Sequence, residues 1–420
     1  MSPIRRLRHS PETVDKARVM RFSRRTDWNT EESDLARAHR RRVEAGLPIA
    51  DLTASNPTRC GFAFQPDLLQ ALTQPQALDY DPQPRGLLAA RQAVCLYYKE
   101  RRVLLDPGQI VLTTSTSEAY SYLFRLLCDP GSEILVPQPS YPLFDYLADL
   151  DDVRVCPAPL VYDHGWQIDP EGLRRAITPR TRAIVLVHPN NPTGHFTKPW
   201  EAEELASLCR ERELSLIVDE VFLDYSFGKQ AASFANRRAL APALDGVPVF
   251  VVSGLSKIAG LPQMKAAWIV AAGPERAAAL DRLEVIADTF LSMNAPVQLA
   301  LPGWLEGREY IQKQICARTA ANLAELDRQL AVASAVNRLE VEGGWYAVLR
   351  IPALRADEET VLALLDAGVW VHPGYFFGLP PAGWLVVSLL GPDREFSTGV
   401  TALLGSLGTN QGGNLTATGG

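Results

Sequence analysis

From about residue 85 the chain alternates two patterns of apolar and polar positions. Short apolar, β-branched runs read as strands: QIVLTT (109–114), EILVPQ (133–138), VRVCP (153–157), AIVLVHP (183–189), LSLIVDEV (214–221), VFVVSGL (249–255) and AAWIVAA (266–272). Between most of them lie stretches with three-to-four spacing, such as EAYSYLFRLLC (118–128) and WEAEELASLCRER (200–212), which read as amphipathic helices. Strands alternating with helices predict an α/β unit on a mostly parallel sheet flanked by helices. The strand runs are apolar at nearly every position rather than every second one, as expected when both faces of a sheet are covered.

Past residue 275 the pattern changes. Two long helical stretches, 275–290 and 309–333, lead into a few strands and helices at 338–351, 358–368 and 384–390, which read as a smaller α+β domain. The expected organisation is an N-terminal segment 1–60 packing with the small domain, a large domain 61–300, the small domain 301–407 and a disordered tail 408–420. That tail, GTNQGGNLTATGG, is small and polar. No internal repeat is visible.

Composition narrows the partners. A net charge of −6 over 420 residues argues against a general nucleic-acid binder. The six cysteines are scattered, with no C-x-x-C pair, and read as reduced thiols rather than staples or metal ligands. No apolar run is long enough to span a membrane. The first twenty residues carry arginines without an apolar segment, and Glu12 and Asp15 count against a transit peptide, so a cytoplasmic location is expected.

In parallel α/β sheets ligands sit beyond the carboxyl ends of the strands, so those ends are where chemistry is sought. The run 109–114 is followed by Ser115, Thr116, Ser117 and Glu118 and then a helix, which offers free amides, hydroxyls and a helix dipole to a phosphate; plain N-capping is the alternative. After 133–138 comes Tyr141 between two prolines, placed to stack on a planar ligand or simply to pack. After 183–189 comes the turn Asn190, Asn191, Pro192, Thr193 and Gly194, from which Asn191 can donate, or which is only a turn. The run 214–221 ends in Asp219, an acid expensive to leave unpaired beneath an apolar strand; its partner is either a cationic ligand or a side chain of the protein. The run 249–255 leads to Ser256 and Lys257. One ligand uses a phosphate seat, a stacking ring, a polar turn, a buried acid and an amine together: pyridoxal 5′-phosphate. Its aldehyde condenses with a lysine, and its ring nitrogen needs an acid.

The set PNNPTG (189–194), VDEV (218–221), SGLSK (253–257) and PGYFFG (373–378) resembles, in order, the motifs of the class I and II aminotransferases, which are fold-type I pyridoxal-phosphate enzymes. The resemblance spans about residues 50–405. It implies a large cofactor-binding domain with a smaller α+β domain, and a Schiff base on Lys257, which also moves the substrate Cα proton. It implies that Asp219 holds the ring-nitrogen proton, Asn191 bonds the phenolic oxygen and Tyr141 stacks on the ring. Thr116, Ser117, Ser256 and Lys265 then bind the phosphate. Tyr80, in DYDPQPRG, matches a tyrosine that reaches the phosphate of a neighbouring subunit, which implies a homodimer. No metal is implied.

Three positions depart from the family pattern. Lys265 stands where arginine is usual and supplies a point charge without a bidentate fork. Phe222 stands where most members have a tyrosine that donates to the phenolic oxygen. Val386, in LVVS (385–388), stands where the family has the arginine that holds a substrate carboxylate. Arg59, in DLTASNPTRC, is the candidate replacement, with an ordinary ion pair as its alternative; Arg394 is the weaker candidate. The expected activity is transfer of an amino group between an amino acid or amine and a 2-oxo acid in a ping-pong sequence. A fold-type I lyase or decarboxylase is the second reading, and a non-catalytic pyridoxal-phosphate-binding module the third.

Overall fold

Eight strands build the main sheet: β1 (Ile110–Thr113), β2 (Glu133–Gln138), β3 (Arg154–Tyr162), β4 (Trp166–Ile168), β5 (Thr181–Val187), β6 (Ser215–Asp219), β7 (Val249–Gly254) and β8 (Ala267–Ala272). Their order across the sheet is β1-β8-β7-β6-β5-β2-β3-β4. Strands β7, β6, β5, β2 and β3 pair in parallel; β8 runs antiparallel to both its neighbours, and β4 antiparallel to β3. All seven apolar runs read as strands are therefore strands. The structure is a computed structural model that describes residues 22–409, apart from Gln230, Ser292, Ala333 and Ser334.

The near-continuous apolar character of the runs has a direct cause. Successive side chains on a strand point to opposite faces, and here each face meets its own core. Leu216 and Val218 of β6 join one cluster, with Val249 and Val251 of β7 and Trp268 and Val270 of β8. Ile217, Phe250, Val252 and Ile269, the intervening residues, join the other. Helices close both faces: Leu88–Glu100 and Pro199–Arg212 bury residues in the first cluster, Thr116–Leu127 and Arg276–Phe290 in the second.

The sheet belongs to a unit made of Pro57–Ala317 and Glu340–Gly344; the other unit comprises, among the described residues, 22–56, Arg318–Leu339 and 345–409. The division after Ala317 differs from the expected boundary at 301. Helix Ala295–Glu306 places Val297, Leu301, Trp304 and Leu305 in the first sheet-side core, and so belongs with the sheet. The helix Glu309–Leu330 then runs unbroken through the division, which its periodicity does not mark. Segment 340–344 was expected to be part of a small-domain strand run; instead Glu342 pairs with Lys198 and accepts from the Phe196 N–H at 3.1 Å. Gly194 makes room for it, because its φ of +71° suits glycine and a Cβ there would run into the Val341 side chain and the Gly343 carbonyl.

The second unit has an antiparallel sheet of Asn337–Arg338, Tyr346–Arg350, Trp384–Ser388 and His372–Pro373, in that order. A two-stranded parallel pair joins Ala50–Asp51 to Val369–Trp370. The Ser388 N–H donates to the Leu52 carbonyl at 2.7 Å, tying the N-terminal segment to this unit. Val386 lies fully buried on strand Trp384–Ser388, opposite Val348 and His372. The tail placed at 408–420 lies outside the described residues except for Gly408 and Thr409, which end the helix Asp393–Thr409.

Candidate functional site

The carboxyl ends of β1, β2, β5, β6 and β7 lie at one edge of the sheet, and each leads into one of the singled-out segments. Asp219 is the last residue of β6, between Val187 of β5 and Val252 of β7. It is buried, and one carboxylate oxygen accepts from the Val221 N–H at 3.0 Å. The other accepts from the Tyr120 hydroxyl at 3.0 Å. A carboxylate has about four acceptor positions, so two bonds leave room for a further donor. Burial pushes the Asp219 carboxyl up to about 6, against the two hydrogen bonds and the Lys257 charge, which pull it down. An acid held this way is ready to receive a cation that would restore its charge.

Lys257 sits on one helical turn, Leu255–Ile258, at the exit of β7. Burial lowers its amine below the ordinary lysine value, with Asp219 opposing. A lowered amine has a larger unprotonated fraction, which is the nucleophilic form. The Phe222 ring lies under it, 5.8 Å from amine to ring centroid. Tyr141 is half-buried, and its phenol is pushed up by burial and by the Asp219 charge, which puts the ring within the field of that acid.

The seat after β1 is built as a capped helix start. The Ser115 hydroxyl accepts from the Glu118 N–H at 3.1 Å, while the Glu118 carboxylate takes the Thr114 N–H at 2.7 Å. The amides of Thr116 and Ser117, in the first turn, have no carbonyl four residues back within the helix to bond. They remain for an anion.

The turn after β5 is pinned rather than loose. The His188 N–H donates to the Asp219 carbonyl at 2.8 Å, and the Asn190 amide donates to the Pro139 carbonyl at 3.0 Å and to Thr193 at 2.9 Å. Asn191 is buried, and its side-chain oxygen has no hydrogen-bond partner among the described residues; the same holds for the Ser140 and Ser253 hydroxyls. Buried polar atoms are nearly always paired. These three lie at or just beyond the carboxyl ends of β2, β5 and β7, where a polar ligand would meet them, and the donor set fits pyridoxal phosphate: amides for the phosphate, an acid for the ring nitrogen, an amine for the aldehyde.

His188 has a defined proton. Its Nδ1 accepts from the Thr197 N–H at 3.2 Å, and its Nε2 lies 3.1 Å from the Ala232 carbonyl, so the ring is neutral with the proton on Nε2. Burial pushes this imidazole down to about 3. Unfolded, the same ring protonates near 6.5, so its contribution to stability is complete above that pH and is lost as pH falls. At pH 5 the loss is about 2 kcal/mol. A His188→Asn protein should therefore lose less stability between pH 7 and pH 5 than the wild type, as read by denaturant titration at both. Parallel losses would contradict the neutral assignment.

Lys265 is exposed, with φ of 53°, between the turn Pro262–Met264 and β8. Tyr80 is 81% exposed, as a residue directed at another subunit would be in a single chain. Arg59 is exposed on the short turn Pro57–Arg59, with no carboxylate partner among the described residues. Thr116, Ser117 and Ser256 are half-buried. Sequence reasoning missed Tyr120, although it lies four residues after Thr116 and so on the same helix face. It also missed Asn190, for which the pattern offered no reason to prefer it over its neighbour as the structural member of the pair.

The family model described as aminotransferase class I and II matches residues 63–403. The glutamate-pyruvate aminotransferase AlaA of Escherichia coli strain K12 is 28% identical over 281 residues, 66% of this chain and 68% of that protein. The alanine aminotransferase of Mycobacterium tuberculosis strain H37Rv is 28% identical over 388 residues, 87% of each chain. Among solved structures, the alanine aminotransferase from Pyrococcus furiosus matches with a TM-score of 0.82 at 26% identity, covering 93% of this chain and 100% of that one. The Thermus thermophilus aspartate aminotransferase shares the fold, with a TM-score of 0.81 at 22% identity over 92% of this chain and 100% of that one. The large sheet domain with its smaller partner is thus the fold-type I architecture expected from the motifs.

Proposed function

Since the chain belongs to the aminotransferase class I and II family and is a pyridoxal 5′-phosphate-dependent aminotransferase, we propose that Lys257 and Asp219 are its working pair in a ping-pong exchange. In this reading an amino acid would be the amino donor and a 2-oxo acid the acceptor. The observation that carries it is the placing of a buried acid and a lowered amine at the ends of adjacent strands, each within the other's electrostatic reach. When bound, the cofactor supplies an aldehyde carbon and an electron-withdrawing ring.

The chain's own residues would divide the work as the family resemblance implies. Lys257 would hold the cofactor's aldehyde and would move the proton of the donor's Cα. Asp219 keeps the ring nitrogen protonated, held in line by Tyr120 and the Val221 amide. Thr116, Ser117, Ser256 and Lys265 hold the phosphate, Asn191 the phenolic oxygen and Tyr141 the ring face. Tyr80, with Leu78 at 92% and Leu69 at 60% exposure nearby in sequence, supports a homodimer in which that stretch is covered. A cytoplasmic location is part of the proposal; no helix among the described residues is long and apolar enough to cross a membrane.

The names of the relatives, glutamate-pyruvate aminotransferase and alanine aminotransferase, make L-alanine and L-glutamate the donors to try first, with the matching 2-oxo acids as acceptors. Val386 cannot bind a carboxylate, so Arg59, exposed and without an ion-pair partner among the described residues, is the candidate anchor. The test is to load the purified protein with pyridoxal phosphate and add each donor. Conversion of the visible band to the pyridoxamine spectrum, reversed by a 2-oxo acid, is expected. Release of ammonia or carbon dioxide instead supports a lyase or decarboxylase, and a coloured, inert protein supports a binding module.

Phe222 gives a second expectation. A tyrosine there would donate to the phenolic oxygen, and a hydrogen bond to a charged group is worth about 1.5–3 kcal/mol. Because such a donor favours the deprotonated imine, its absence holds the imine pKa high. Phe222→Tyr should lower the pH midpoint of the visible absorption by about 1–2 units. An unmoved midpoint would remove this role from position 222.

A further inference from the structure

The lysine's own support is unusual for its economy. Leu255–Ile258 is a single turn, and one turn has too few internal bonds to hold itself. Its last carbonyls need outside donors. Two consecutive carbonyls are met by two side chains, one just after Asp219 and one on helix Glu309–Leu330. The Tyr225 hydroxyl donates to the Lys257 carbonyl at 2.6 Å. The Gln312 side-chain amide donates to the Ile258 carbonyl at 2.8 Å and to the Asp224 carboxylate at 2.6 Å. Asp224 is paired in turn with Arg101, and the two side chains are 4% and 10% exposed. The Tyr97 hydroxyl also meets Asp224, at 3.3 Å.

Asp224 and Tyr225 follow Asp219 on the same segment, so the acid and the turn that carries the amine are set by one piece of chain. A buried ion pair of this kind adds little net stability, since desolvation offsets most of its attraction. What it does supply is direction. Asp224 leaves the Gln312 amide one place to point its second proton, and that place is the Ile258 carbonyl.

We propose that Tyr225 and Gln312 are positioning residues that fix the root of Lys257, leaving its side chain alone to move while it carries the substrate proton. The inference rests on the functional reading above. A base whose root drifts spends less time in line with the Cα proton, and misplacement of about 1 Å can cost on the order of 100-fold in rate.

The test uses the cofactor-loaded full chain with Tyr225→Phe and Gln312→Met. Neither variant leaves a buried charge unpaired by its own partner's removal, and the Lys257 carbonyl keeps the Gly260 N–H at 3.2 Å. With L-alanine as donor, kcat should fall about 10-fold while KM stays within about 2-fold. The isotope effect for 2-deutero-L-alanine on single-turnover bleaching of the visible band should rise above the wild-type value, because proton transfer becomes the slower step. The melting temperature should stay at the wild-type value. Unchanged kcat and isotope effect in both variants would overturn the proposal. So would a fall in kcat that tracks a lower melting temperature with the isotope effect unmoved, since that marks a structural role only. A wild-type protein that bleaches with no donor would overturn the functional reading, and this proposal with it; an active wild type with indifferent variants overturns the proposal alone.

Discussion

In a Lys257→Ala protein, amino-group transfer from L-alanine to 2-oxoglutarate is expected to fall by about 10⁴-fold or more. Acid–base catalysis by one positioned side chain is worth about 10²–10⁴-fold by itself, and in the proposed function the same amine would also form the covalent link to the cofactor. The fold should survive the change. The turn Leu255–Ile258 is held through backbone carbonyls, and burial lowers the lysine amine, so the native state gains nothing from keeping a proton there. The measurement is steady-state turnover beside a denaturant titration of the same sample. Turnover within tenfold of wild type would mean that another group does the chemistry.

Replacing Asp219 with alanine is expected to lower turnover by on the order of 10²–10³, with the cofactor still bound. Removing one preorganised electrostatic partner from a water-poor site costs about that much. The environment gives the reason. Asp219 is buried at a central strand end, with one bond from a backbone amide and one from Tyr120. Its neighbour Glu220 does not serve in its place: its carboxylate is taken up by the Ser233 hydroxyl at 2.7 Å and the Phe234 N–H at 2.6 Å. Asp219→Asn keeps the size but not the charge and should lose nearly as much as alanine. If asparagine retains wild-type turnover, the acid is structural and the ring nitrogen is served in another way.

Much of this arrangement was legible in the sequence, for physical reasons that can be named. Strands such as VFVVSG are apolar over most of both faces, so their limits are marked by the first polar residues at their ends, and those polar residues make up the candidate site. Position alone flagged Asp219, Asn191 and Lys257, each with a structural alternative, and the family resemblance gave them their expected roles. Tyr120 was hidden because a helical tyrosine in EAYSYLF looks like any core aromatic, and Tyr122, two residues on, is one. Gln312 was hidden because its partners, Asp224 and Ile258, are distant in sequence and the helix around it has ordinary periodicity. The boundary at 301 was misplaced for a related reason: helix Ala295–Glu306 is apolar enough to be buried anywhere, and only packing assigns it to the sheet.

The claim on which the rest depends is the identity of one amine. Load the purified protein with pyridoxal phosphate, reduce it with borohydride, digest it and weigh the peptides. The account predicts a single pyridoxyl adduct on the peptide that contains Lys257, absent from the Lys257→Ala protein. An adduct on another lysine, Lys265 included, or a Lys257 peptide of unmodified mass in a protein that binds the cofactor, would contradict it.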